Sequence, residues 1–114
     1  MNEVQELNLT KLAGIVEVFR QLHPELSVPT MAVLLMVARS MPEGILQHEL
    51  SRALGLTQAS GQRNVSFLMK ERAFGVPGFD LLSCEIVPQD RRQRRVKLTA
   101  KGEKFVAKLM KQVE

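Results

Sequence analysis

Between Pro88 and Lys97 the chain reads PQDRRQRRVK, with four arginines, one lysine and a single acid, Asp90, in ten residues. Guanidinium groups bind phosphate oxygens through paired hydrogen bonds and keep their charge at any physiological pH. Upstream, the stretch LTQASGQRNVSFL sets out Gln58, Ser60, Gln62, Arg63 and Ser66, with no acid until Glu71. Glutamine can read adenine, and arginine guanine, each through two hydrogen bonds. Free N–H groups at a helix start also receive phosphates. The alternative for these five is a solvated helix face. For the arginine run, the alternatives are a disordered basic tail, a targeting signal or a shaped tip that touches something acidic.

Other chemistries have little to stand on. His23 and His48 have no second ligand at zinc spacing, so no metal site is expected. There is no Gly-rich phosphate loop, nucleophile elbow or Cys-His signature, and Glu3, Glu6, Glu17 and Glu25 form no acid/base pair, so neither an enzyme nor a cofactor is expected. Cys84 is the only cysteine, which excludes an internal disulfide and makes a reducing compartment the default. It falls on the inward side of a strand, where a structural thiol is expected in preference to a redox sensor.

The charge is divided unevenly along the chain. Residues 1–57 carry four Lys/Arg against six acids, whereas residues 58–114 carry twelve against six. A basic half on a small folded domain points to a polyanion, with nucleic acid the leading candidate. The 114 residues leave room for one core, so a single domain over 1–114 is expected. No apolar run reaches the ~18 residues needed to span a bilayer. The opening MNEVQELN is polar and acidic, unlike a secretory leader, and the expected location is the cytoplasm.

Several elements must position these residues. Leu12, Ile15, Val16, Phe19 and Leu22 recur at helical spacing from Val4 to about Leu22, and His23-Pro24 ends that helix. A second helix, from Val28-Pro29-Thr30 to about Ser40, is apolar nearly all round and reads as the buried centre. After the turn Pro42-Glu43-Gly44 comes a helix-turn-helix over about 45–72. Leu46, Leu50 and Leu54 form one face of its first helix, with Ile45 and Ala53 beside them. Gly55 stops that helix, Thr57 caps the next, and Val65, Leu68 and Met69 turn inward. Ala73–Asp80 is a loop, by its glycines and proline.

Then the period becomes two. Leu82, Cys84 and Ile86 alternate with Ser83, Glu85 and Val87, and Val96–Thr99 alternates again. Pro88–Arg95 is therefore the tip of a hairpin spanning about 81–99, followed by a Thr99-capped helix over about 100–113 whose Phe105, Val106, Leu109, Met110 and Val113 face inward. The arginines thus belong to an ordered wing and not to a tail. The expected class is mainly α with a small two-stranded β wing, a winged helix-turn-helix.

This order of elements, with ELSRALGLTQASGQRNVSFL followed by PQDRRQRRVKLTAKGEKF, resembles the MarR-type winged-helix regulators over roughly residues 30–110. The resemblance rests on Asp90-Arg91-Arg92 and on Leu98-Thr99-Ala100-Lys101-Gly102, which match that family's wing and the helix start after it. It implies that Arg91 or Arg92 enters the minor groove of DNA while Asp90 orients the arginine; the alternative is that Asp90 merely neutralises a crowded cationic turn. Arg94 and Arg95, nearer the returning strand, are expected as backbone clamps. Two departures stand out: Gly61, where a branched apolar residue is usual, and a long Ala73–Asp80 loop.

The expected function is sequence-specific binding of double-stranded DNA by a transcriptional regulator, simplest as a repressor. It would act as a homodimer through its first and last helices, whose apolar faces exceed what a small core needs. Alternatives are a DNA-binding accessory protein of plasmid or phage replication or segregation, and a winged helix that binds an acidic protein.

Overall fold

Apolar residues from every element converge on one core in the computed structural model, which describes residues 1–72 and 75–114. In chain order the elements are α1 (Glu3–Leu22), α2 (Val28–Arg39), β1 (Ile45–Leu46), α3 (Gln47–Ala53), α4 (Gln58–Leu68), β2 (Leu82–Val87), β3 (Asp90–Leu98) and α5 (Ala100–Lys111). Val33, Leu34 and Val37 of α2 meet Leu50 of α3, Val65 and Leu68 of α4 and Val96 of β3 in the fully buried centre. Phe19 of α1 packs against Phe105 of α5 with ring centroids 5.6 Å apart. Within α2, Leu35 is exposed, so that helix is buried on one side and not all round.

The capping residues read from the sequence act as caps. Thr57 Oγ1 accepts from the Ser60 N–H at 3.0 Å, and Thr99 Oγ1 accepts from the Gly102 N–H at 2.9 Å. Such a bond satisfies one of the free donors at a helix start and is worth about 1 kcal/mol. Gly55 takes a left-handed φ of 66° after α3.

Several expectations need correction. The sheet has three strands in the order β1-β3-β2, all antiparallel. Ile45 and Leu46 form β1, opposite Val96 and Arg95, and do not start the first helix of the helix-turn-helix. Gly44, with φ of 79° and its Cα against the Val96 carbonyl, delivers the chain onto the edge of β3. The second helix stops at Leu68 and not at Arg72, because the following segment folds back to satisfy its last carbonyls. The Leu81 N–H donates to the Leu68 carbonyl at 2.7 Å and the Asp80 N–H to the Met69 carbonyl at 3.1 Å.

The wing also differs from the expectation. Asp90–Arg95 lie within β3, so the tip is only Pro88-Gln89. Ile86 is exposed on the projecting hairpin and does not face inward. Lastly, the apolar faces of the terminal helices are only partly used. Leu12 and Val16 of α1, with Met110 of α5 and Val113 beyond its end, are exposed, along with Val4, Leu7 and Leu9. They stay outside the core, to which α1 contributes Val18 and Phe19 and α5 contributes Phe105 and Leu109. α5 ends at Lys111, short of the expected Val113. Of the predicted 73–80 loop, Ala73 and Phe74 lie outside the described residues.

Candidate nucleic-acid interface

Helix α4 is pressed unusually close to α3, and Gly61 is the reason. A Cβ at this position would run into Ser51 Oγ, so the bare backbone lets the two helices touch. Ser51 is fully buried and donates back to the Gln47 carbonyl at 3.1 Å. The rotation of α4 is then fixed from the α2 side. Thr30 Oγ1 donates to Asn64 Oδ1 at 2.6 Å, and Asn64 Nδ2 donates to the Ser60 carbonyl at 2.8 Å. With Gly61, Val65 and Leu68 buried and Asn64 held against α2, the exposed side of α4 presents Gln58, Gln62 and Arg63.

The wing is ordered by a carboxylate just past its tip, at the start of β3. Asp90 Oδ1 accepts from the backbone N–H of Arg92 at 3.1 Å and from its Nε at 3.3 Å, while Oδ2 accepts from Gln93 Nε2 at 3.2 Å. The backbone bond from Arg92 and then its guanidinium hold the Asp90 carboxyl below the usual carboxylate range, against an opposing desolvation effect, with a lesser contribution from Gln93. The sheet register makes room for this cluster. Ile86 faces Arg94 and Val87 faces Asp90, so residues 91–93 lie in an irregularity with no partners across the hairpin. Arg92 is 92% exposed, yet its Nε is tethered to Asp90. Of the two arginines that the sequence leaves open, Asp90 orients Arg92. Arg94 Nη1 donates to the carbonyls of Arg91 and Gln93 at 2.8 and 3.1 Å.

Helix α4 and the wing meet across a cleft of about 300 Å³. Gln58 and Gln62 of α4, with Gln47 and His48 of α3, form one wall; Arg92, Gln93 and Arg94 form the other. Two further concavities continue around α4. One of about 340 Å³ includes Ser66 and Arg94, and one of about 550 Å³ includes Arg63 and Ser66. Gln62 lines all three and so sits at the centre of the surface.

Two of the predicted contacts fall elsewhere. Ser60 is half-buried on the Asn64 side of α4, where its carbonyl is already engaged. Arg95 is half-buried in β3 between Leu46 and Glu85. Arg91 is exposed on the wing but lines none of the three concavities. Conversely, the sequence pattern does not single out Gln47, His48 and Gln93. Gln47 and His48 reach the surface because β1 places the start of α3 beside β3, a strand too short to show a period of two. Cys84 is half-buried and donates to Met69 Sδ at 3.7 Å; burial pushes its thiol pKa up, against a smaller downward pull from Arg94. Among the described residues no group of three His, Cys, Asp or Glu is placed to hold a metal, and no helix is long and apolar enough to cross a membrane.

No family profile matches the chain, and neither does any curated protein sequence. Solved structures do. A mutant of MepR from S. aureus, bound to an oligodeoxyribonucleotide, superposes with a TM-score of 0.73 at 17% identity, covering 95% of this chain and 71% of that one. The transcriptional repressor CouR, bound to a 23-mer DNA duplex, gives 0.67 at 21% identity, covering 96% and 69%. The chain has the MarR-type winged-helix fold. PcaV, a transcriptional regulator from Streptomyces coelicolor in complex with its natural ligand, shares that fold at a TM-score of 0.61 and 25% identity, over 78% of this chain. The MarR-type fold here spans 56% of the PcaV chain, so it corresponds to a part of that protein's length.

Proposed function

We propose that this chain is a sequence-specific double-stranded DNA-binding protein that regulates transcription, most simply as a cytoplasmic repressor that occludes a promoter. Helix α4 enters the major groove with Gln62 at its centre and Gln58, Arg63 and Ser66 around it. The wing lays Arg92, fixed by Asp90, into the minor groove or along the backbone, with Arg91 and Arg94 on flanking phosphates. One observation carries this reading: the acid-free exposed side of α4 and the tethered Arg92 border a single cleft. The fold is shared with MepR and CouR, each bound to DNA in its own structure.

The exposed apolar residues of α1 and α5 support a homodimer through those helices. Two copies of α4 then reach two half-sites about one DNA turn apart, which multiplies affinity and specificity. The test is duplex binding across a salt series, followed by selection of bound duplexes from a random pool. Binding that falls by orders of magnitude between low and moderate salt, with a selected two-fold symmetric site, is the expected result. If no duplex binds even at low ionic strength, the basic wing belongs to an acidic protein partner.

A further inference from the structure

Past the end of α4 the chain makes a small structure of its own, and it carries one more arginine to the DNA-facing side. Met69 leaves the helix in an extended conformation and bridges to Leu82, while Glu71 bridges to Pro77. The Arg72 N–H donates to the Val76 carbonyl at 2.6 Å, and the Gly78 N–H to the Lys70 carbonyl at 3.0 Å. These bonds turn Arg72 back along α4, where its guanidinium carbon lies 3.9 Å from the centre of the Phe67 ring. Phe67 is itself backed by Phe79 and by the edge of His23, with centroids 5.1 and 6.0 Å away. Arg72 therefore rests on a braced aromatic platform.

The guanidinium is incompletely satisfied there. Its Nε is buried with no hydrogen-bond partner, and Arg72 forms no ion pair among the described residues. It lines two of the three concavities around α4, beside Gln62 and Ser66, with Arg63 at one edge and Arg94 at another. Among the described residues, Glu71 is the one acid on these walls. The last turn of α4 holds no basic residue, so its carbonyl end presents partial negative charge toward a polyanion.

We infer that Arg72 is a third DNA-backbone anchor, set at the C-terminal end of the recognition helix, a role that presupposes the DNA binding proposed for α4 and the wing. It grips a phosphate across the groove from the helix start and offsets the helix's negative end. The Phe67 stack holds the side chain in place beforehand, so binding loses less side-chain freedom. Because a phosphate contact carries no base identity, Arg72 contributes equally on every sequence.

The experiment measures affinity of wild type, Arg72→Ala and Phe67→Leu for a selected and a random duplex across a salt series. Arg72→Ala is expected to weaken both duplexes by a similar factor and to reduce the slope of log affinity against log salt by about 0.9 for each phosphate no longer neutralised. Phe67→Leu, which retains the charge, is expected to weaken binding a few-fold with the slope unchanged. A weakened Arg72→Ala with the wild-type slope overturns the anchor and makes the residue a brace of the loop, as does wild-type affinity in that variant. Wild-type affinity in Phe67→Leu overturns the presetting by the ring. Absence of binding by the wild-type chain itself overturns the DNA reading, a result separate from the others.

Discussion

Two surfaces of this molecule are built on opposite principles. Around α4 and the wing, polar groups are held by one another: Asp90 fixes Arg92 and Gln93, and Asn64 fixes the rotation of the helix through Thr30. Along α1 and α5, by contrast, Val4, Leu7, Leu12, Val16 and Met110 leave apolar side chains exposed. Hydrogen bonds are directional and apolar burial is not. The first surface suits a partner whose groups sit at fixed positions, such as base edges and phosphates. The second suits association in which buried area matters more than register. The proposed dimeric regulator would use both kinds.

The largest break comes from the apolar side. Leu12→Asp combined with Val16→Asp is expected to leave a folded monomer by analytical ultracentrifugation and to reduce operator binding sharply. A fully buried side chain of this kind contributes about 1.5–3 kcal/mol, and a two-fold interface loses each one twice. A wild-type mass for this variant would move the interface elsewhere. On the polar side, Gln62→Ala is expected to cost about 1–3 kcal/mol on a selected duplex and far less on a random one. Equal losses on both would reduce α4 to a backbone holder.

Smaller effects separate the wing from the helix. Arg92→Ala with Arg91→Ala is expected to weaken all duplexes alike. The salt slope should also fall, by about 0.9 per phosphate released, read by titration at several ionic strengths. An unchanged slope would take the wing off the DNA. Asp90→Asn should do least: it keeps the arginines but frees Arg92, so discrimination between duplexes narrows while non-specific affinity holds. The same link gives a pH expectation. The Asp90 pKa is depressed in the folded chain, so the ordering it provides is present above the unfolded Asp value of about 3.9 and disappears only as pH falls through the lower folded value. Wing chemical shifts followed by NMR should stay flat at neutral pH and move only in acid.

Local signals make much of this legible in the sequence. Thr57 and Thr99 announce their helices because a cap bonds only three residues ahead, and Leu82, Cys84 and Val96 announce a hairpin by alternation. What escapes depends on partners distant in the chain. Gly61 reads either as a close approach of two helices or as a loosened helix, and Ser51 lying against it favours the first; a Cβ at Gly102 would strike the Leu81 carbonyl, a contact no local pattern shows. The two residues of β1 carry no period. Arg72 reads equally as a phosphate contact or an ordinary surface charge, since only the fold brings it over Phe67. At the site, the elements read from helix and strand patterns bring Gln58, Gln62, Arg92 and Arg94 to one cleft. Ser60 and Arg95 lie away from it, half-buried through contacts that involve α2 and β1.

The short strand β1 has a mechanical consequence. By joining Ile45 and Leu46 to Val96 and Arg95, it ties the start of the helix-turn-helix to the root of the wing. Helix and hairpin are then spaced like the two jaws of a caliper, with the β1 pairing joining them at their base. If α4 and the wing hold DNA as proposed, a duplex whose groove width differs from that gap would have to deform to be gripped, and stiffness and groove width would be read alongside base identity.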